Sequence, residues 1–182
     1  MAKDNHRESL YPLLEQNFKR FNRPDFVEDD PIAIPHQFEK KEDVELSAFI
    51  AAIIAWGQRI TIIRNANRLM ELMDHAPHEF VINHRESDLK RFEGFVHRTF
   101  NADDLAYFIH ALQYIYKEKG GLESAFLMGE DYKNRIANFK ALFFDLEHLP
   151  RTQKHLANPL KGSSAKRINM FLRWMVRQDP QG

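Results

Sequence analysis

The stretch DVELSAFIAAIIAWGQR, residues 43–59, decides how this chain folds. Between residues 46 and 56 its only polar side chain is the hydroxyl of Ser47. A helix built from such a run has no face to offer water, so it belongs at the centre of a protein with other elements packed around it. The run is also too short to span a bilayer, which takes roughly 20 apolar residues. Gly57 interrupts it, and a second, more polar helix is expected over residues 61–74, with Ile63, Ala66, Met70 and Met73 turned inward.

Working outward, helical periodicity continues in both directions. Leu10, Leu13, Leu14, Phe18 and Phe21 fall at i, i+3, i+4, i+8 and i+11, one face of a helix. Pro24, Pro31 and Pro35 punctuate the next segment, which reads as an extended connection over 25–38. Residues 76–99 suggest two short helices around His84 and a connection. Asn101 has the chemistry of an N-cap, and Asp103 and Asp104 suit the positive end of the helix that follows. That helix carries Leu105, Phe108, Ile109, Leu112, Ile115 and Tyr116 on one face and ends at Gly120 and Gly121. A short turn over 122–129 leads to a helix over 131–147 bearing Ile136, Phe139, Phe143 and Leu146. A polar, basic stretch over 150–162 precedes a last helix over 164–177. No repeat, low-complexity tract or strand pattern is evident. The expectation is a single all-α domain, a multi-helix bundle over residues 1–182.

Composition narrows the function classes. With 43% hydrophobic and 29% charged residues the chain is of ordinary globular type. It has no Cys, which excludes disulfides, thiolate nucleophiles and cysteine-ligated metals. The first ten residues, MAKDNHRESL, lack the apolar core of a secretory signal, so a cytoplasmic protein is expected. The net charge of zero conceals a gradient: residues 151–182 carry 7 basic groups against 1 acidic, whereas residues 1–50 carry 7 against 11. Clustered positive charge is either the footprint of a polyanion or a solvated basic helix.

Few constellations carry chemistry. The histidines of HAPH, His75 and His78, enclose Pro77 and have no carboxylate at ligand spacing, so neither a metal nor a cofactor is expected. Phosphate-binding glycine loops and nucleophile elbows are absent. Two stretches remain. In the first, Gln58 and Arg59 sit at a helix junction, where they either enter a ligand or DNA groove or simply face solvent after a helix end. In the second, Gly162, Ser163 and Ser164 lead into a helix whose first turn holds Lys166 and Arg167, with Lys161 just before. Free amides at such a start suit a phosphate. Lys166 is either an exposed lysine with a slight dipole effect or, if partly buried, a nucleophilic amine.

Taken together, DPIAIPHQFEKKEDVELSAFIAAIIAWGQR, HRTFNADDLAYFIHAL and SSAKRINMFLRWMVR resemble an uncharacterised bacterial conserved-hypothetical family, itself similar to the helix-hairpin-helix DNA glycosylases of base-excision repair, of the oxidised-purine glycosylase/lyase type. The resemblance implies duplex DNA as partner. It also implies Lys166 as the amine that attacks the sugar of a flipped nucleotide, and phosphate binding by Lys161, Gly162, Ser163, Ser164 and Arg167. Gln58 and Arg59 would lie near the vacated base, with Trp56 and Trp174 as candidate stacking partners. Two departures stand out: the turn has one glycine where the enzymes have two, and nothing after Lys166 matches their downstream aspartate. Asp179 lies in a polar tail. The chain is therefore expected to lack a C-terminal part of the relatives and to be weakly active or inactive. The competing expectation is a non-catalytic helical interaction module that pairs with a partner or a second copy through Met170, Phe171, Trp174 and Met175 of the last helix.

Overall fold

The computed structural model describes residues 4–177, so the tail with Asp179 lies outside the described residues. Eight α-helices carry that part of the chain: α1 (Asp4–Phe21), α2 (Lys41–Ile54), α3 (Arg59–Leu72), α4 (Pro77–Asn83), α5 (Ala102–Glu118), α6 (Gly121–Phe126), α7 (Tyr132–Phe143) and α8 (Lys166–Val176). The fold is all-α, with one minimal hairpin of β1 (Val96–His97) and β2 (Phe100–Asn101).

The apolar run becomes the axis of the molecule. Every residue of α2 from Glu45 to Ile54 is buried. Phe49 sits at the centre, its ring 5.5–6.4 Å from those of Phe108, Phe139, Phe143 and Phe171, which joins α5, α7 and α8 to α2. Edge-on, tilted and stacked ring packing at these distances is favourable beyond the area it buries. α8 lies along α2, and α5 packs against α4 and α6.

Local departures from the expected elements have local causes. The proline-rich segment is a series of 3-10 turns, Pro24–Phe26, Pro31–Ala33 and Pro35–Gln37, with Ile32 and Ile34 buried. The Asp30 side chain caps the second of these turns by accepting from the Ile32 amide. The 122–129 stretch is mostly helix, as α6, because Gly120 takes a left-handed conformation at its start and lets the chain turn. α3 buries Ile62, Ala66, Leu69 and Met70, and Met73 is buried just past its end; of the expected inward residues only Ile63 is half-buried, and it too packs against the core. α1 differs most. Its periodic face forms as expected, yet Leu10, Leu13, Leu14, Phe18 and Phe21 all remain exposed.

Asn101 caps α5 in a full capping box with Asp104. Asp104 does more than cap. It is wholly buried, accepting from the Thr152 hydroxyl at 2.7 Å, from Arg151 at 3.0 Å and from His155 at 3.2 Å. This network pins the 3-10 segment Pro150–His155 to the start of α5 and sets the approach of the chain to α8.

Candidate nucleic-acid interface

The first turn of α8 meets the C-terminal end of α2 and Trp56, and the side chain that joins them is Arg167. From the first turn of α8 its guanidinium donates to the Ile53 carbonyl, at the C-terminal end of α2, and to the His155 carbonyl at 3.0 Å. It also lies 5.8 Å from the centre of the Trp56 ring. Unpaired carbonyls at a helix end carry partial negative charge, so a cation is well placed there. Burial pulls the Arg167 pKa below the usual guanidinium range. Its donors are therefore engaged inside the protein, and a direct phosphate contact from them would break the α2–α8 junction.

After α2 the chain turns through Trp56 and Gly57. Gly57 has φ +118°, and a Cβ there would lie 3.1 Å from the guanidinium of Arg98. The glycine thus serves a left-handed backbone and a close side-chain approach. Arg98 is the residue that the sequence did not reveal. It sits at the tip of the β1–β2 hairpin with φ +58°, exposed, its guanidinium 4.9 Å over the Trp56 ring. No local pattern marks it, because its link to Trp56 spans 42 positions. Neighbouring His97 is buried, donating from Nε2 to the Trp56 carbonyl at 3.1 Å and accepting at Nδ1 from Asn65 at 2.9 Å. Burial, with the nearby Arg98 and Arg167, holds its pKa below the usual imidazole value, consistent with this neutral arrangement. The Trp56 indole N–H is buried with no partner among the described residues.

Gln58 stands at the N-terminus of α3 in extended conformation; its carbonyl accepts from Ile62 while its side chain is exposed and makes no capping bond. Arg59 faces the proline-rich segment, with Nε 3.7 Å from Asp30 and its guanidinium 4.9 Å over Phe26.

The turn before α8 is shaped by two left-handed residues, Gly162 at φ +81° and Ala165 at φ +46°. A 3-10 turn, Pro159–Lys161, leads into it rather than an α-helix. Ser163 Oγ accepts from the Ala165 amide at 3.1 Å, and Asn169 donates to the Ser164 carbonyl at 2.8 Å. Ala165, not Ser164, is the residue at the cap, and no side chain caps α8. The amides of its first turn receive no side-chain cap and lack intrahelical acceptors, as at any uncapped helix start. Lys161, Gly162, Ser163, Ser164 and Lys166 are all exposed. Trp56 lies at this end, whereas Trp174 is about 12 Å further along α8, counted at 1.5 Å per residue, and faces another groove. Among the described residues, Arg98, Lys161, Lys166 and Arg167 form no ion pair with a carboxylate.

Residues 30–181 match the family described as protein of unknown function (DUF2400). The chain belongs to that family. The match takes in α2 to α8, hence every residue of this site, and leaves out α1. No curated protein and no solved structure matches the chain. No helix among the described residues is long and apolar enough to cross a membrane.

Proposed function

We propose that the chain binds duplex DNA through the exposed turn 161–166, the Gln58 junction and Arg98, on a scaffold related to the helix-hairpin-helix glycosylases. The observation that carries this reading is a set of exposed basic side chains, Lys161 and Lys166 at an α8 start that no side chain caps and Arg98 over Trp56, with no carboxylate partner among the described residues. Positive charge without carboxylate partners beside uncapped amides is a favourable setting for a phosphate backbone. Lys161, Lys166 and Arg98 are exposed and can meet phosphates; Arg167 holds the platform together from inside. Gln58, exposed two residues after Trp56, is the side chain with base-reading chemistry.

Lys166 as a lyase nucleophile is a further step, and the site offers it little help. The amine is exposed, and catalytic lysines of this kind are activated by desolvation. Binding without strand cleavage is the expected behaviour. Borohydride trapping on duplexes carrying an oxidised purine should leave no adduct; a Lys166-dependent adduct would add catalysis to the reading.

The binding test is fluorescence anisotropy of a labelled duplex across a salt series. Three phosphate contacts predict a slope of log affinity against log salt of about −2.7, at about −0.9 per contact. Replacing Lys161 and Lys166 together with Ala should flatten that slope by about 1.8. Salt-independent affinity, or a slope the double variant leaves unchanged, overturns the proposal. A second reading, a module that docks a protein, is favoured by a separate observation: the apolar groove along the far side of α8.

A further inference from the structure

Two large apolar surfaces lie uncovered on this chain, one convex and one concave. The convex one is the ridge of α1, where Leu10, Leu13, Leu14, Phe18 and Phe21 are between 42% and 64% exposed. A periodic ridge of this size is far more than the scattered apolar exposure normal for a monomer. The concave one is a groove of about 770 Å³ between α8, α6, α7 and the start of α2. Its apolar lining includes Leu122, Phe126, Leu127, Trp174, Met175 and Val176, with Leu127 59% and Val176 73% exposed. None of the described side chains of α1 lines it.

We propose that two copies of the chain pair reciprocally, the apolar ridge of each α1 seating in the groove beside α8 of the other. Three observations favour a second copy as the occupant. First, the two surfaces are rooted together. Arg177, just past α8, donates to Asn22 Oδ1, just past α1, at 2.8 Å, so the ridge departs from the groove's own edge, where Val176 lies. A two-fold axis at that edge uses both ridges and both grooves in one closed, self-complementary interface. Second, the charges match. The mouth of the groove mixes Arg135 and Arg173 with the Lys41–Glu123 ion pair. Glu15 and Lys19 flank the ridge as an i, i+4 pair at 3.5 Å, offering a carboxylate to the arginines and an ammonium to Glu123. Third, α1 is unsuited to a lipid surface. It carries Asp4, Glu8 and Glu15 against Arg7, Lys19 and Arg20, no net charge, whereas helices that lie on membranes carry a basic polar face.

The pairing does not rest on the DNA reading, because its residues lie on α1 and the far end of α8. Sedimentation velocity on the full chain should give a particle of twice the 21.5 kDa chain mass at micromolar concentration. The double variant Leu14→Glu/Phe18→Glu, and separately Leu127→Glu, place charge in the contact at positions already exposed, so the fold is retained. Each should weaken pairing by roughly a hundredfold, and mixing the two variants should restore a weaker dimer with one intact ridge–groove contact. A wild-type chain that stays monomeric, a dimer indifferent to both substitutions, or a monomer whose α1 binds anionic vesicles overturns the proposal.

Discussion

Arg167 shows how one side chain can be misassigned by its neighbours in sequence. Among Lys161, Lys166 and two serines it looks like another phosphate contact, yet its guanidinium is turned onto the carbonyls of Ile53 and His155. A charged donor on two part-buried carbonyls contributes about 2–3 kcal/mol to stability. Arg167→Ala should therefore lower the unfolding free energy measured by urea titration by about that amount. Arg167→Lys should recover little of it, because a single ammonium cannot reproduce the planar fork. If the lysine variant is as stable as wild type, the residue is not a structural clamp. The general reason is that charge can be read along the chain, but the groups available to satisfy it cannot. Ile53 and His155 lie 114 and 12 positions away. Arg98 is the complementary case, a residue with no local signal that Trp56 and Gly57 bring to the site.

The elements themselves were largely legible where periodicity and capping chemistry agree. α2, α3, α5, α7 and α8 follow their apolar spacing, and Asn101 and Asp131 cap as their side chains require. The misses are short elements. A 3-10 turn of three residues has no period to detect, and α6 is a six-residue helix whose start is set by Gly120. The turn into α8 is another such case, since two serines invite a cap that a left-handed Ala165 takes instead. The two left-handed positions should respond in opposite ways to substitution. At Gly162 a Cβ would meet nothing, so Gly162→Ala costs only the backbone penalty, about 1 kcal/mol. Ala165→Gly should be tolerated without loss, because relief of a similar strain offsets the extra freedom of the unfolded chain. Thermal melts of the two variants check this; a melting temperature that falls for Ala165→Gly and not for Gly162→Ala contradicts the assigned backbone.

At the scale of the whole molecule, stability should fall with acid in a defined window. His97 and His155 are both held below the ordinary imidazole pKa, chiefly by burial. His155 faces Asp104, which partly opposes the shift, and also Lys154 and Arg167. A histidine kept neutral in the fold favours the native state above its unfolded pKa, near 6.5, and that contribution is lost as pH falls through the native value. Glu45 has the opposite sense: buried, with its pKa raised first by desolvation, it favours the native state most below about 4.5. The two histidines should therefore lower denaturation midpoints from pH 6.5 downward, with Glu45 offsetting part of the fall toward 4.5, and His155→Gln should flatten the decline; an unchanged slope would remove His155 from the account. The amino-acid sequence alone determined that the chain is helical, that residues 46–54 are its axis, and that its positive charge gathers near the end, because these depend on spacing and composition within short windows. Tertiary structure decided the rest. It turned Arg167 inward, brought Arg98 to Trp56, and left the face of α1 bare beside an open groove. Each of these depends on which distant surfaces meet, and hydrophobic periodicity says that a face seeks a partner without saying which one.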